Sequence, residues 1–322
     1  MATAVEVPKE RWSGTVREIT LGATLAEGGT RSSTVTIGGE TTLPFLNFEG
    51  DIPNPPVVAI EIQDRRPDGW SPVLTEAWGD VIDEPTSWAK KAEGYGADII
   101  LLQLNLTDAS GEETTPEKAA HITKSVLEAT GLPLIIFGPG EAEKDNELLV
   151  AVAEAAAGER VVLGICEEKN YRTIVAAALA HGQLVNARTP IDVNLAKQLN
   201  ILISDMGLGL DRILMDPTTG ALGYGIEYAY SVMERLRLAA LQGDGMTQQP
   251  MLVTPGVEAW RIKESRTNDD IPEAWGDWER RGINWELITA GTLLQAGADI
   301  LVLRHPKTVS VIKRMIDKLM ER

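Results

Sequence analysis

Apolar residues recur along this chain in short runs, and each run is followed by a helical pattern. From residue 57 the runs fall at 57–62, 98–104, 132–137, 161–165, 184–186, 212–215, 251–253 and 299–303. Between them lie stretches with helical apolar spacing, at 84–94, 116–130, 145–157, 171–181, 192–202, 226–241 and 285–295, and a last one at 307–320. A near-continuous aliphatic run without alternation fits a strand buried on both faces, as in a parallel sheet. Eight strand–helix units in about 265 residues predict a (β/α)8 TIM barrel. A doubly wound open sheet is the competing architecture. Residues 61–70, after the first run, lack the glycine-rich dinucleotide fingerprint that would favour it. The stretch GADIILL at 96–102 matches GADILVL at 297–303. In each, a glycine suited to a left-handed helix end precedes a strand, and shared loop chemistry explains the match more simply than duplication.

Residues 1–50 follow another pattern. Short β-branched runs at 15–21 and 33–37 are separated by a glycine-containing turn at 26–30 and closed by Gly38-Gly39. They predict a β-hairpin extension over 1–50, ahead of a barrel over 51–322. An isolated hairpin is marginal in water, so this one must lie on the barrel or on a partner. Phe45 and Phe48 are its candidate anchors.

Two connections break the regular alternation. One runs over 64–84 and the other over 254–285, and seven of the eight tryptophans lie on or beside them. Disordered segments are poor in aromatics, so both loops should be ordered. In a closed barrel the first and seventh strands both flank the eighth, which puts the two loops on one side of the same mouth. Tryptophan anchors protein interfaces, and Trp78, Trp260, Trp275 and Trp278 are candidates for that role. The plainer reading is that the rings pack the loops onto the barrel.

Composition removes several function classes. With 30 basic and 47 acidic residues the net charge is −17, which speaks against nucleic-acid and anionic-membrane partners. The single cysteine, Cys166, supports neither a disulfide framework nor an iron–sulfur site within the chain. Three scattered histidines give no zinc pattern, and no metal ligands are expected. No apolar run reaches the roughly 20 residues of a membrane span, and residues 1–12 show no signal-peptide core. A cytoplasmic protein is expected.

In a barrel, function sits at the C-terminal ends of the strands. Residues there include Gln63, Asp64, Arg65, Asn105, Cys166, Glu167, Asn186, Arg188, Asp216, Thr218, Thr219, Thr254, Arg304 and His305. The set is polar and amide-rich, with no obvious nucleophile–base pair, and a lone cysteine after an apolar strand is more often inert packing. No predicted strand ends in a lysine that would form a Schiff base, which speaks against an aldolase; Lys169 is the nearest. The stretch MDPTTG followed by GYG, at 215–225, is a strand end leading to a glycine-rich helix start. It is either a site for an anion or polar ring on backbone N–H groups, with Tyr224 beside it, or a plain βα turn.

Taken together, MDPTTGALGYGIEY (215–228), ETTLPF (40–45) and TPGVEAW (254–260) resemble the small (delta) subunit of the corrinoid iron–sulfur protein of the CO dehydrogenase/acetyl-CoA synthase pathway. The resemblance extends over essentially the whole chain. It implies a barrel subunit paired with a large subunit, with cobalamin at their interface. It also implies methyl transfer from a methyltetrahydrofolate methyltransferase to acetyl-CoA synthase. In that family the iron–sulfur cluster belongs to the large subunit. This chain lacks the Asp-x-His-x-x-Gly cobalamin signature, which fits a subunit that caps the corrinoid and does not hold its tail. Asn186, Arg188, Asp216, Thr218, Thr219 and Tyr224 are the expected cofactor-facing residues. Because Asn105, Asn186 and Asp216 stand at strand ends as in pterin-binding methyltransferases, a free-standing methyltetrahydrofolate methyltransferase barrel is the alternative.

Overall fold

The computed structural model describes residues 7–321. Residues 1–6, half of the stretch read above for a signal-peptide core, lie outside the described residues, as does Arg322. The chain opens with β1 (Ile19–Leu21) and β2 (Val35–Ile37), an antiparallel hairpin. Eight parallel strands follow: β3 (Val57–Gln63), β4 (Ile99–Gln103), β5 (Leu134–Phe137), β6 (Val162–Cys166), β7 (Leu184–Arg188), β8 (Ile213–Asp216), β9 (Leu252–Val253) and β10 (Ile300–Leu303). Their order is β8-β7-β6-β5-β4-β3-β10-β9, and a bridge between Met215 and Met251 closes the ring. The fold is therefore a (β/α)8 barrel with an N-terminal hairpin.

Helices cover its outside. They are α1 (Pro72–Trp78), α2 (Pro85–Gly94), α3 (Pro116–Ala129), α4 (Ala142–Ala155), α5 (Tyr171–His181), α6 (Val193–Asp205), α7 (Ile226–Leu241), α8 (Pro255–Arg261), α9 (Lys263–Arg266), α10 (Trp278–Gln295) and α11 (Pro306–Met320). Alternate strand residues divide between two cores. Val58, Ile60 and Ile62 face the helices, while Ala59, Ile99, Leu101, Ile135, Val162, Leu184, Leu214 and Val302 fill the barrel. Ile19, Leu21 and Ile37 of the hairpin belong to that inner core.

The hairpin is the floor of the barrel. Its backbone bonds the loops that enter the strands from below: Arg17 N–H to Gln248 O at 2.7 Å, Gly22 N–H to Arg160 O at 3.0 Å and Ser32 N–H to Gly131 O at 2.9 Å. Gly38, at φ +83°, passes so close that a Cβ would sit 2.1 Å from the Arg17 carbonyl oxygen, so the turn accepts only glycine. Phe45 packs against the outer core, whereas Phe48 stays exposed.

Both long connections are more helical than their hydrophobic pattern suggests. Helix α10 begins at Trp278, seven residues before the predicted start at 285. Asp277 caps it by accepting from Arg280 N–H at 2.8 Å. Its first turns are held by the buried Arg281, which donates to Glu264 O, Gly276 O, Thr267 O and Asn268 Oδ1. Polar anchoring of that kind leaves no apolar period to detect.

Candidate functional site

Strand ends bring the polar residues together at the C-terminal mouth. Asp216 ends β8 and is fully buried. Its Oδ2 accepts from Arg188 Nε at 2.7 Å and from Asn186 Nδ2 at 3.3 Å, and its Oδ1 accepts from Thr218 N–H at 3.0 Å. Thr218 sits at φ +65°, a left-handed conformation that is strained for a β-branched residue. That bond to Asp216, with the Thr218 hydroxyl donating to Thr189 O at 2.6 Å, holds it there. Thr219 accepts from Thr254 N–H at 2.8 Å, so it ties β8 to β9. Across the mouth, Arg304 makes a two-pronged ion pair with Glu61, at 2.8 and 2.7 Å, and Glu61 also accepts from Gln63. A cavity of about 150 Å³ lies between the two pairs, lined also by Phe137, Glu258 and Arg261. Glu258 is half-buried there, and burial raises its pKa against the pull of Arg261, Arg188 and Arg304.

The tryptophans hold Arg304 in place. Its guanidinium lies 4.8 Å over the Trp70 ring, and its carbonyl accepts from Trp78 Nε1 at 2.9 Å. Trp88 meets both rings edge-on at 5.5 and 5.6 Å. From the other loop, Trp260 donates to Glu286 at 3.0 Å. Glu286 is completely buried in α10 and also accepts from Arg304 N–H at 2.6 Å and from the Thr308 hydroxyl at 2.8 Å. Burial raises its pKa, and these donors oppose the shift. The Trp260 ring stacks on His305 and runs so close to Gly282 that a Cβ there would meet it at 2.6 Å.

Most residues expected to face a cofactor meet here. Asn186, Arg188, Asp216, Thr218 and Thr219 form one cluster at β7 and β8. Tyr224 stands apart on the outer rim, where its hydroxyl donates to Glu264 at 2.8 Å. Asn105 is also separate, bound to Asp64 at 2.6 Å. Among the four tryptophans singled out for an interface, Trp78 and Trp260 are 0 % and 2 % exposed and serve the mouth from within. Trp278 is half-buried and donates to Ser265 O at 2.8 Å. Trp275 alone of the four is well exposed, at 47 %, and stacks on Trp285 at 5.7 Å. Sequence reasoning missed Glu61, Glu258 and Glu286. A carboxylate inside the apolar run VVAIEI was the available signal for Glu61.

The lone thiol and the histidine at the strand ends, Cys166 and His305, are both withdrawn from the surface. Cys166 is buried, and burial pushes its thiol far above the ordinary range. His305 is buried, and burial lowers its pKa to about 4, so the ring is neutral. Its Nδ1 caps α11 by accepting from Lys307 N–H at 3.1 Å. Among the described residues there is no cluster of three or more His, Cys, Asp or Glu able to hold a metal, and no helix long and apolar enough to cross a membrane.

Fold and mouth together define a (β/α)8-barrel protein whose open face carries paired charges and hydrogen-bonding groups. Solved structures of that shape include Xanthomonas albilineans dihydropteroate synthase with 4-aminobenzoic acid, at TM-score 0.58 and 13 % identity, over 85 % of this chain and 96 % of the other. At that identity the likeness establishes the fold alone. Residues 18–317 match the family described as CO dehydrogenase/acetyl-CoA synthase delta subunit, and the chain belongs to that family. It is 39 % identical to the acetyl-CoA decarbonylase/synthase complex subunit delta of Archaeoglobus fulgidus, over 97 % of this chain and 70 % of the relative. The Methanopyrus kandleri subunit is 40 % identical over 96 % of this chain and 76 % of its own length.

Proposed function

We propose that the chain is the small subunit of a heterodimeric corrinoid iron–sulfur methyl carrier, with its mouth covering a corrinoid shared with a large subunit. The iron–sulfur cluster belongs to that large subunit. A methyltetrahydrofolate:corrinoid methyltransferase supplies the methyl group and acetyl-CoA synthase receives it, in keeping with the complex for which the relatives are named. The observation that carries this reading is the shape of the mouth. The cavity between the ion pairs, at about 150 Å³, is smaller than the roughly 300–1,000 Å³ of pockets that enclose a small molecule, and the groove of about 330 Å³ beside it, which shares Arg188 and Thr218, only just reaches that range. Such a face covers a large flat ligand and needs another chain to complete the site.

The donor set fits the amide-rimmed edge of a corrinoid. Arg188 uses Nε on Asp216, which leaves its terminal amino groups for a ligand, and two buried polar atoms, Asn186 Oδ1 and Thr189 Oγ1, have no partner among the described residues. When bound, the corrinoid supplies the cobalt centre at which methyl transfer takes place. The chain's own part is to orient and to exclude water. Arg188–Asp216 and Arg304–Glu61 are neutral as pairs, so they offer hydrogen bonds without a strong net field. Trp275, with Trp278 behind it, is assigned to the subunit contact.

Co-expression with a large subunit tests the reading. The corrinoid's red colour is expected in the two-chain complex and absent from this chain purified alone. The competing reading, a free-standing pterin-binding methyltransferase, takes support from Asn186 and Asp216 meeting at the mouth. It prevails if the single chain binds methyltetrahydrofolate and methylates free cobalamin.

A further inference from the structure

A second cavity opens off the mouth, between the connections β6–α5 and β7–α6. Its volume is about 330 Å³, and it shares Arg188 and Thr218 with the mouth. Leu195, Leu199 and Leu202 of α6 make one apolar wall, and Leu195 is exposed there. Thr189 also lines the cavity. This residue is 6 % exposed, and its hydroxyl has no hydrogen-bond partner among the described residues. A buried hydroxyl without a partner costs roughly 1–3 kcal/mol, and such a group in a native fold calls for an explanation. The nearest guanidinium, Arg188, has only Nε engaged, and its flat face lies 5.6 Å over the Phe137 ring.

We propose that this groove binds a neutral carboxamide or lactam carried on an apolar body, its carbonyl on the terminal amino groups of Arg188 and its N–H on the Thr189 hydroxyl. The charges around the groove select a neutral group over an anion. Arg188 is already balanced by Asp216, and Glu167 and Glu168 line the same groove opposite the single ammonium of Lys169. Asp145 stands near enough to Glu167 for the two to repel, and its pKa rises to about 6, chiefly through burial. A carboxylate or phosphate would enter a field that is net negative. An amide brings an acceptor and a donor together and adds no charge. The leucine wall takes the body of the ligand.

This subsite uses donors already assigned to the edge of the corrinoid, so it rests on that reading and deepens it, but its own chemistry is tested with free small molecules on the single chain. Benzamide and benzoate have the same ring and differ in the charge of the head group. Benzamide is expected to shift the methyl NMR signals of Leu195, Leu199 and Leu202, and benzoate to bind at least several-fold more weakly. Thr189→Val removes the hydroxyl and keeps the shape. It is expected to weaken benzamide about three- to ten-fold, the size of one hydrogen bond, with thermal stability unchanged or raised. Competition identifies the natural source of the amide. Displacement by dicyanocobinamide points to the carboxamide arms of a corrinoid, and displacement by pterin points to a ring lactam; either supports the site. Equal or tighter binding of benzoate overturns the proposal, as does full benzamide affinity in Thr189→Val. Failure here leaves the colour of the two-chain complex untouched, so the two readings fall separately.

Discussion

The two ends of the barrel both bury arginines against carboxylates, yet they do so in opposite ways. At the floor, Arg31 has every donor engaged. Its Nε bonds Glu159, one terminal nitrogen bonds Thr130 O and Leu132 O, and the other bonds Leu127 O and Thr30 Oγ1. Arg237 joins Glu40 of the extension to Asp299 beneath β10, at 3.3 and 2.8 Å, and also donates to Gly297 O. At the mouth, Arg188 spends one nitrogen on Asp216 and opens onto two cavities. A saturated arginine such as Arg31 locks a plug in place, and Arg237 leaves only its fully buried Nε unpaired among the described residues, whereas an arginine with free donors at an open mouth is available to a ligand. The contrast separates architecture from function without appeal to which residues are charged, since both ends are.

The largest expected effect breaks the floor. Arg237→Met leaves the buried Asp299 without its cation and should cost about 3–5 kcal/mol in urea unfolding, because an unpaired buried charge is far worse than a missing pair. A loss under about 1 kcal/mol would show that the extension is not locked by this cluster. Trp260→Ala should cost about as much, roughly 3–5 kcal/mol, since it removes a buried ring and a donor to Glu286. It should also loosen Arg304, which shares Glu286 with it.

The next effect is a pH dependence at the floor. Burial, with the charge of Asp299, raises the Glu40 pKa to about 8, and the attraction of Arg237 does not offset this. The folded state therefore holds a proton that the unfolded chain releases near pH 4.5. Stability from this group is complete below that pH and is lost as pH rises through about 8, with a slope of at most about 1.4 kcal/mol per unit. Glu40→Gln should flatten the stability profile between pH 5 and 8. A profile of unchanged slope in that variant would assign the dependence elsewhere.

Surface effects come last. Trp275→Ala should lower stability by about 1 kcal/mol or less, the worth of an exposed ring stack. If Trp275 makes the proposed subunit contact, the same change should weaken assembly with a large subunit by a factor of ten or more, because interface tryptophans carry a disproportionate share of binding energy. An assembly constant unaltered in titration calorimetry would return the Trp275 turn to simple loop packing. At the bottom of the scale, Thr189→Val should leave the melting temperature flat or slightly higher while changing ligand affinity, which sharpens the line between floor and mouth.

Much of the architecture was legible in residue order. Runs such as VVAIEI and LPLIIF mark strands buried on both faces, and the glycine before each matching strand at 98 and 299 marks the helix end. Asn186, Arg188, Asp216, Thr218 and Thr219 were readable as one set because a barrel gathers the C-terminal ends of its strands. The tryptophans show where reading stops. Their clustering on two loops was visible, and the placement of those loops on one side of the mouth follows from strand order. Which rings face outward depends on what lies beneath each loop. Trp78 and Trp260 find acceptors in the Arg304 carbonyl and Glu286, so they turn inward, while Trp275 finds only another indole.

Hydrophobic periodicity and strand count, both local properties of the chain, determined the barrel, its hairpin and the strand-end residues of its mouth. Tertiary structure decided which charges are spent and which are free. Arg31, Arg188, Arg237 and Arg304 are the same residue type in sequence. The number of their donors already satisfied depends on partners some 30 to 240 positions away, and only the closed barrel brings those partners within bonding distance.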